Sequence, residues 1–187
     1  MLVVAAVEAE LGPLEGVALG IGALRAAAAA ARLLAVRRPE AVVLVGSAGA
    51  YPGGPAPGGA VASARLGLEG GVADLGRGYD PAPAPVLASD EALAARLGLP
   101  RADVLTVHAV TTDPALVAAR AGAWGVEHME AWGVAWAAAE AGVPFVAVLG
   151  LANEVGPQAH AQWRVGRAAA ERAAQEAVRR LVHGSTG

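Results

Sequence analysis

The sequence contains no cysteine and no lysine. Without cysteine there is no disulfide, no thiolate nucleophile and no cysteine-ligated zinc site. Without lysine, Schiff-base mechanisms and Walker-type phosphate-binding loops are excluded, and all fourteen basic residues are arginines. These absences remove several classes of enzyme before any motif is considered.

Charged residues are also scarce, at 17% of the chain, and the net charge is −3. The arginines are scattered, so we expect no nucleic-acid partner, because phosphate binding needs grouped cations. The N-terminus resembles a first β-strand without a basic leader, which predicts a cytoplasmic protein. We also expect no membrane association, since charged residues or proline interrupt the apolar runs before they reach a spanning length, at Arg25, Arg32, Arg37, Glu130, Glu140 and Pro144.

Apolar residues, by contrast, make up 55% of the 187 positions. That content can bury a sizeable core, and we expect one domain over residues 1–187. Apolar runs bounded by turn residues predict strands at 2–7, 41–45, 60–66, 101–110 and 144–152. Alanine- and leucine-rich stretches predict helices at 21–36, 90–97, 114–121, 129–141 and 157–183. Because the two kinds of element alternate, the sequence predicts an α/β fold on a mostly parallel sheet.

Ligands of such folds bind beyond the carboxyl ends of the strands, so the residues after each predicted strand are candidates for chemistry. Gly46-Ser47-Ala48-Gly49 follows one strand, but it lacks the third glycine and the following helix of a dinucleotide fingerprint. Two interpretations stay open for this loop. It is either a plain tight turn or a place where backbone N–H groups approach a ligand closely.

Two further segments carry polar groups. Glu127-His128-Met129-Glu130 is predicted to open a helix, in which Glu130 is either a charge favoured by the helix dipole or a ligand for sugar hydroxyls. Asn153 follows the last apolar strand, either as a turn residue or as an amide that donates to and accepts from a heterocycle edge. The four histidines show no metal-ligand spacing, so we expect no metal site.

The order of the polar and glycine-rich segments along the chain is more specific than any one of them. Together they resemble the nucleoside phosphorylase and nucleosidase superfamily, at residues 8–10, 20–22, 46–50, 126–131 and 142–156. The likeness covers nearly the whole chain and is strongest to the methylthioadenosine/S-adenosylhomocysteine nucleosidases and the futalosine hydrolases. It implies a three-layer αβα fold with a mixed, partly barrel-like sheet, a purine nucleoside as ligand, no cofactor, and a homodimer or larger oligomer.

The resemblance also implies roles for single residues. Glu10 matches the carboxylate that positions and deprotonates the attacking water, and Glu130 matches the glutamate that binds the ribose 2′- and 3′-hydroxyls. Met129 matches the methionine beneath the sugar, while His128 stands where relatives usually have an acid or an amide. The other expected site residues are Ser47, Ala48 and Gly49 along the ribose and nucleophile, and Thr111 where adenine-specific relatives stack an aromatic ring. Trp163 and Arg164 either cover the site or simply belong to an amphipathic helix.

Departures from the family pattern bear on the substrate. Asn153 stands where adenine-specific relatives have Asp, and an amide can donate to a 6-oxo group while it accepts from protonated N7. The first loop carries no arginine to hold phosphate, which favours water as the nucleophile. The resemblance therefore favours a futalosine hydrolase that releases hypoxanthine in menaquinone biosynthesis. The alternatives are a methylthioadenosine/S-adenosylhomocysteine nucleosidase, a 6-oxopurine phosphorylase that uses Arg25, and a non-catalytic purine-binding module.

Overall fold

The computed structural model describes residues 1–184 of the chain. In that range the strands are β1 (Leu2–Ala5), β2 (Val17–Ala18), β3 (Val42–Ala50), β4 (Ala60–Leu68), β5 (Leu87–Ala88), β6 (Arg101–Thr106), β7 (Val126–His128) and β8 (Phe145–Glu154). The α-helices are α1 (Glu8–Leu11), α2 (Ala23–Arg37), α3 (Glu91–Leu97), α4 (Pro114–Ala121), α5 (Ala131–Glu140) and α6 (Ala159–His183), and Gly71–Leu75 forms a short 3₁₀ helix. None of the helices within residues 1–184 is long and apolar enough to cross a bilayer.

Five of the strands close into a ring. β3 pairs with β7, β7 with β6, β6 with β4, β4 with β8, and β8 pairs back with β3. β1 and β2 extend the sheet beyond β3, and β5 extends it beyond β4. The β3–β8 pair is parallel, whereas β3–β7 and β4–β8 are antiparallel. The prediction of a mixed, partly barrel-like sheet is confirmed.

The central strand β3 is apolar on both of its faces. Val42 and Leu44 pack with α2 and α5, whereas Val43 and Val45 pack with α3 and α6. Helices therefore cover both faces of the strand, which explains why its sequence is a continuous apolar run rather than an alternating one. The predicted three-layer αβα arrangement is confirmed.

Gly150 in β8 allows α6 to lie directly on the sheet. A Cβ at this position would overlap the backbone carbonyl of Ala170 in α6, so no larger residue fits without moving the helix. Because α6 begins at Ala159, this close packing places its first three turns beside the carboxyl ends of β3 and β8. The candidate site lies between those strand ends and these turns.

Two predicted boundaries are wrong at the positions that matter for the site. Residues 46–49 do not form a loop, because β3 continues through them to Ala50. Pairing with β8 holds them extended, with a bulge between Ala48 and Gly49, so long-range pairing overrides their turn-like composition. Residues 127–130 do not open a helix, because Glu127 and His128 belong to β7 and α5 begins only at Ala131.

The remaining differences concern short elements. β1 and β6 end earlier than predicted, at Ala5 and Thr106, while β8 runs two residues further, to Glu154, and so includes Asn153. The prediction also omits α1, β2, β5, β7 and the 3₁₀ helix. The omitted strands have two or three residues each, and they form because longer neighbours pair with them, which no local pattern reveals.

Candidate active site

A cavity of about 430 Å³ opens at the carboxyl ends of β1, β3 and β8, with β7 and the start of α6 as its other walls. A cavity of this size is typical of small-molecule sites. It brings together most of the predicted site residues, namely Glu10, Ser47, Ala48, Gly49, His128, Met129, Glu130 and Asn153. Thr111 is buried but does not line this cavity. Within residues 1–184 no group of three or more acidic or histidine side chains is placed to hold a metal ion.

Glu10 stands on α1, the single helical turn that follows β1. Leu11 buries its side chain, and the left-handed Gly12 ends the turn, so that Glu10 is directed inward. Its Oε2 accepts from the N–H of Ala6 at 3.2 Å, and its Oε1 accepts from the N–H of Ser47 at 3.0 Å. Burial raises the pKa of Glu10, while nearby His128 and the Ser47 N–H oppose the shift. A buried carboxylate of raised pKa is suited to accept a proton.

His128 has its protonation pattern set by the start of α5. Its Nδ1 accepts from the backbone N–H groups of Glu130 and Ala131, each at 3.2 Å. The ring proton therefore lies on Nε2, which is the opposite side of the ring. Burial lowers the pKa of His128, and the carboxylate of Glu10 opposes this only in part. The ring is a neutral N–H donor at the wall of the cavity.

Glu130 directly precedes α5, and the segment before α2 holds its side chain. Its Oε1 accepts from the N–H of Gly22 at 2.7 Å, and Gly22 has φ 95°, a conformation that favours glycine. Burial raises the pKa of Glu130, and the Gly22 N–H opposes the shift. Met129 precedes it and lines the same wall. Each carboxylate oxygen has two lone pairs, so Glu130 keeps capacity to accept from ligand hydroxyls.

Asn153 lies on β8 beside Gly49 of β3. Its Nδ2 donates to the backbone carbonyl of Glu154 at 2.9 Å, which fixes the amide plane. Its Oδ1 accepts no hydrogen bond from residues 1–184. Within those residues every buried side-chain oxygen has a hydrogen-bond partner, so Oδ1 is not buried and is open to the cavity that Asn153 lines. A Cβ at Gly49 would approach Nδ2 to 3.0 Å, which shows how closely the bare strand passes the amide.

Glu127 also lines the cavity, although its segment was predicted only to open a helix. Its Oε1 accepts from the N–H of Thr111 at 3.0 Å, and its Oε2 accepts from the hydroxyl of Tyr51 at 3.0 Å. Burial raises the pKa of Glu127, and these two donors oppose the shift. Thr111 thus stands behind Glu127. No periodic signal in the sequence marks Glu127, because a strand of three residues is too short to show alternation.

An ion cluster around the buried Arg120 supports Thr111 from behind. Arg120 of α4 donates to the Thr111 Oγ1 at 2.9 Å and forms ion pairs with Glu69 and with Asp74, the latter at 2.8 Å. Its side chain is only 4% exposed. The cluster ties the segment after β4 and the 3₁₀ helix to the residues that hold Glu127.

The first turns of α6 form the rim of the cavity. Trp163, one of the two residues considered as a cover of the site, lines the cavity. Its Nε1 donates to Oγ of Ser47 at 3.2 Å. Arg164, the other predicted cover residue, does not line it. Instead the guanidinium of Arg167 lies 4.9 Å from the centre of the Trp163 ring, and His160 stacks on the same ring. Arg167 lies four residues after Trp163, so the two side chains share one face of α6.

Comparisons with known proteins agree with this architecture. Residues 12–183 match the model of the phosphorylase superfamily. A futalosine hydrolase from Thermus thermophilus is 37% identical over 179 residues, which cover 87% of this chain and 78% of that protein. A futalosine hydrolase from Streptomyces coelicolor is 37% identical over 175 residues, which cover 82% of this chain and 72% of that protein.

Solved structures show the same fold. The crystal structure of a 5′-methylthioadenosine/S-adenosylhomocysteine nucleosidase from Colwellia psychrerythraea, in complex with adenine, matches with a TM-score of 0.84. The match covers 96% of this chain and 93% of that chain, at 21% identity. By sequence and by fold, the chain belongs to the phosphorylase superfamily and, within it, to the family of the futalosine hydrolases.

Proposed function

We propose that this protein hydrolyses the N-glycosidic bond of futalosine and releases hypoxanthine. Its two relatives at 37% identity are futalosine hydrolases, which supports the substrate. The observation that carries the proposal is the spacing of functional groups along β3. Glu10 and His128 lie against Gly46 and Ser47, whereas Asn153 and Glu127 lie against Gly49. Three strand residues span about 10 Å, so one end of the cavity suits the nucleophile and the other suits the base.

At the nucleophile end, Glu10 acts as the general base. A water molecule attacks C1′ of the sugar, its proton passes to the Glu10 carboxylate, and the C1′–N9 bond breaks with its electron pair going to the base. The transition state resembles an oxocarbenium ion, which the carboxylates of Glu10 and Glu130 stabilise. Glu130 accepts from the 2′- and 3′-hydroxyls, and Met129 lies beneath the sugar.

At the base end, Asn153 selects a 6-oxopurine. The base leaves as a neutral purine because N7 takes up a proton from solvent water, and the open Oδ1 of Asn153 accepts from that N7–H. The Nδ2 hydrogen that is not bonded to Glu154 donates to O6. A 6-amino group in the same place would set a donor against a donor, so adenine is disfavoured.

Water is the expected nucleophile rather than phosphate. Arg25, the residue that a phosphorylase mechanism would use, is exposed on α2 and does not line the cavity. Arg167 is the one arginine that lines the cavity in the described part of the chain, and it lies at the rim over Trp163. The Glu10 carboxylate, with its backbone donors, would repel a phosphate from the nucleophile end.

We further propose that the protein acts in the cytoplasm, in menaquinone biosynthesis, as a homodimer or larger oligomer. Exposed apolar side chains on and beside α2 and α5 support an oligomer, at Ile21, Leu24, Val36 and Trp136. Sedimentation at micromolar concentration should give a mass above that of the 18.4 kDa monomer. A monomer alone would contradict the oligomer.

The test of the activity is product analysis with three nucleosides. The protein is incubated with futalosine, inosine and methylthioadenosine, each with and without phosphate, and the released base and sugar are identified. We expect hypoxanthine from futalosine at the same rate in both buffers, with free sugar as the second product. Adenine as the preferred base would favour the methylthioadenosine/S-adenosylhomocysteine nucleosidase alternative. A sugar phosphate would favour a phosphorylase, and tight hypoxanthine binding without turnover of any substrate would favour a binding module.

A further inference from the structure

Gly46 marks the point where two groups of the nucleophile end converge. A Cβ on this residue would lie 2.9 Å from Nε2 of His128 and 3.2 Å from Oε1 of Glu10. Both atoms therefore lie close to the Cα of Gly46. The distance between them cannot exceed the sum of the two distances. They make no direct hydrogen bond with each other. A donor and an acceptor that make no direct hydrogen bond and lie within two hydrogen-bond lengths of each other can be joined by a single bridging water.

The donor in this pair is fixed by the backbone. The N–H groups of Glu130 and Ala131 both point at Nδ1, so a second ring proton on Nδ1 would meet two hydrogens. The ionisable groups that face the ring are Glu10 and Glu130, and both favour a protonated ring by charge. The nearer Glu130 oxygen lies 3.4 Å from Nδ1, farther than either N–H nitrogen, so the backbone donors decide the tautomer. His128 presents an N–H at Nε2 and nothing that can accept there.

We propose that His128 is a second catalytic residue, which donates its Nε2–H to the attacking water. This assignment rests on the proposed hydrolysis, and it gives His128 a role that the family resemblance does not. The water gives one hydrogen to Glu10 and accepts the imidazole N–H on one lone pair, which leaves its other lone pair for C1′. As the water loses its proton, the same N–H stabilises the negative charge that develops on the oxygen. Gly46 leaves room for the water because it has no side chain.

Two substitutions of His128 separate the donor from the rest of the ring. His128→Gln keeps an N–H donor near the position of Nε2, whereas His128→Asn keeps a polar group near Nδ1 and removes the donor. With futalosine as substrate, we expect His128→Asn to lower kcat by about a hundredfold, and His128→Gln to lower it by less than about tenfold. KM and the Kd for hypoxanthine should change little in both variants, because the base end is intact. Equal kcat in His128→Asn and the wild type would overturn the proposal.

The pH dependence tests whether the ring donates or titrates. Because a neutral donor carries no titration in the working range, His128→Gln should keep the acid limb of the wild-type kcat profile. Loss of that limb in His128→Gln would show that the imidazole itself exchanges a proton, and would contradict the proposal.

A third variant tests the water position without touching the ring. Gly46→Ala should lower kcat by about tenfold or more with hypoxanthine binding retained, because its methyl group enters the space between Nε2 and Oε1. The matched control is Gly122→Ala, which has φ −74° and open space around its Cα, and should leave kcat unchanged. Unchanged kcat in Gly46→Ala would overturn the proposal. Failure of the wild type to release hypoxanthine from futalosine would instead refute the proposed function, so the two failures are distinct.

Discussion

The two ends of the cavity use the same strand but different supports. At the nucleophile end, Glu10 and His128 are held by backbone N–H groups, and in the described chain no arginine pairs with them. At the base end, Glu127 is held by Thr111 and Tyr51, with the Arg120 ion cluster behind them. The difference shows how one sheet holds two kinds of carboxylate. Glu10 is held by neutral donors beside the imidazole of His128, whereas Thr111, which holds Glu127, is itself held by Arg120 and its ion partners.

The largest loss of activity is expected from a substitution that disrupts the nucleophile end alone. Glu10→Gln removes the general base, so we expect kcat with futalosine to fall by roughly two to four orders of magnitude. Hypoxanthine binding, measured by calorimetry, should remain close to that of the wild type because the base end is unchanged. The matched control is Glu8→Gln, since Glu8 is exposed on the same turn and does not line the cavity. Full turnover by Glu10→Gln would remove Glu10 from the mechanism.

The next largest loss of activity is expected from a substitution at the base end. Asn153→Asp loses the donor to O6 and sets a carboxylate against that oxygen, so kcat/KM for a 6-oxopurine nucleoside should fall by about a hundredfold or more. The same variant gains an acceptor for a 6-amino group, so release of adenine should rise or hold steady. Gln158→Glu, an exposed change of the same charge before α6, serves as control. If both bases respond equally and weakly, Asn153 is a turn residue and does not select the base.

A third change tests the support behind the base end. Arg120→Met leaves Glu69 and Asp74 without their buried partner, so the free energy of unfolding should fall by about 3 kcal/mol. Chemical denaturation measures this loss, with the exposed Arg77→Met as control. The variant should also bind hypoxanthine more weakly, because Thr111 loses the contact that positions it behind Glu127. A stability equal to that of the Arg77→Met protein would show that the cluster contributes nothing.

The smallest expected change concerns the pH dependence of the nucleophile end. Burial raises the pKa of Glu10 above its ordinary value of 4.5, and the base works only when ionised. Activity should therefore be full above the raised pKa and fall about tenfold per pH unit below it. The acid limb of kcat should lie above pH 4.5. A limb at or below that value would mean that the nucleophile end is better solvated than the geometry indicates.

The motifs marked residues that share one cavity, whereas the local patterns misassigned some of the elements that carry them. Glu10, Glu130 and Asn153 were identified from the order of motifs along the chain, and all three line one cavity. Residues 46–49 and 127–128 were given the wrong local structure, because pairing with distant strands holds them extended. Such errors do not move the positions that a motif marks, since a motif identifies a position along the chain whatever its local conformation. The roles of these residues remain predictions.

Glu127 and Arg167 were missed for a different reason. Glu127 lies on a strand of only three residues, too short for alternation to be recognised in the sequence. Arg167 belongs to a charged helix face of ordinary appearance, and only the close packing of α6 at Gly150 brings it to the rim. Both depend on how elements pack together, which the sequence alone does not specify.

The most direct test of the two-ended site is turnover of futalosine with phosphate present, with the base and the sugar product both quantified. We expect one hypoxanthine released for each free sugar and no sugar phosphate. Formation of a sugar phosphate would contradict the assignment of Glu10 and its water to the nucleophile end.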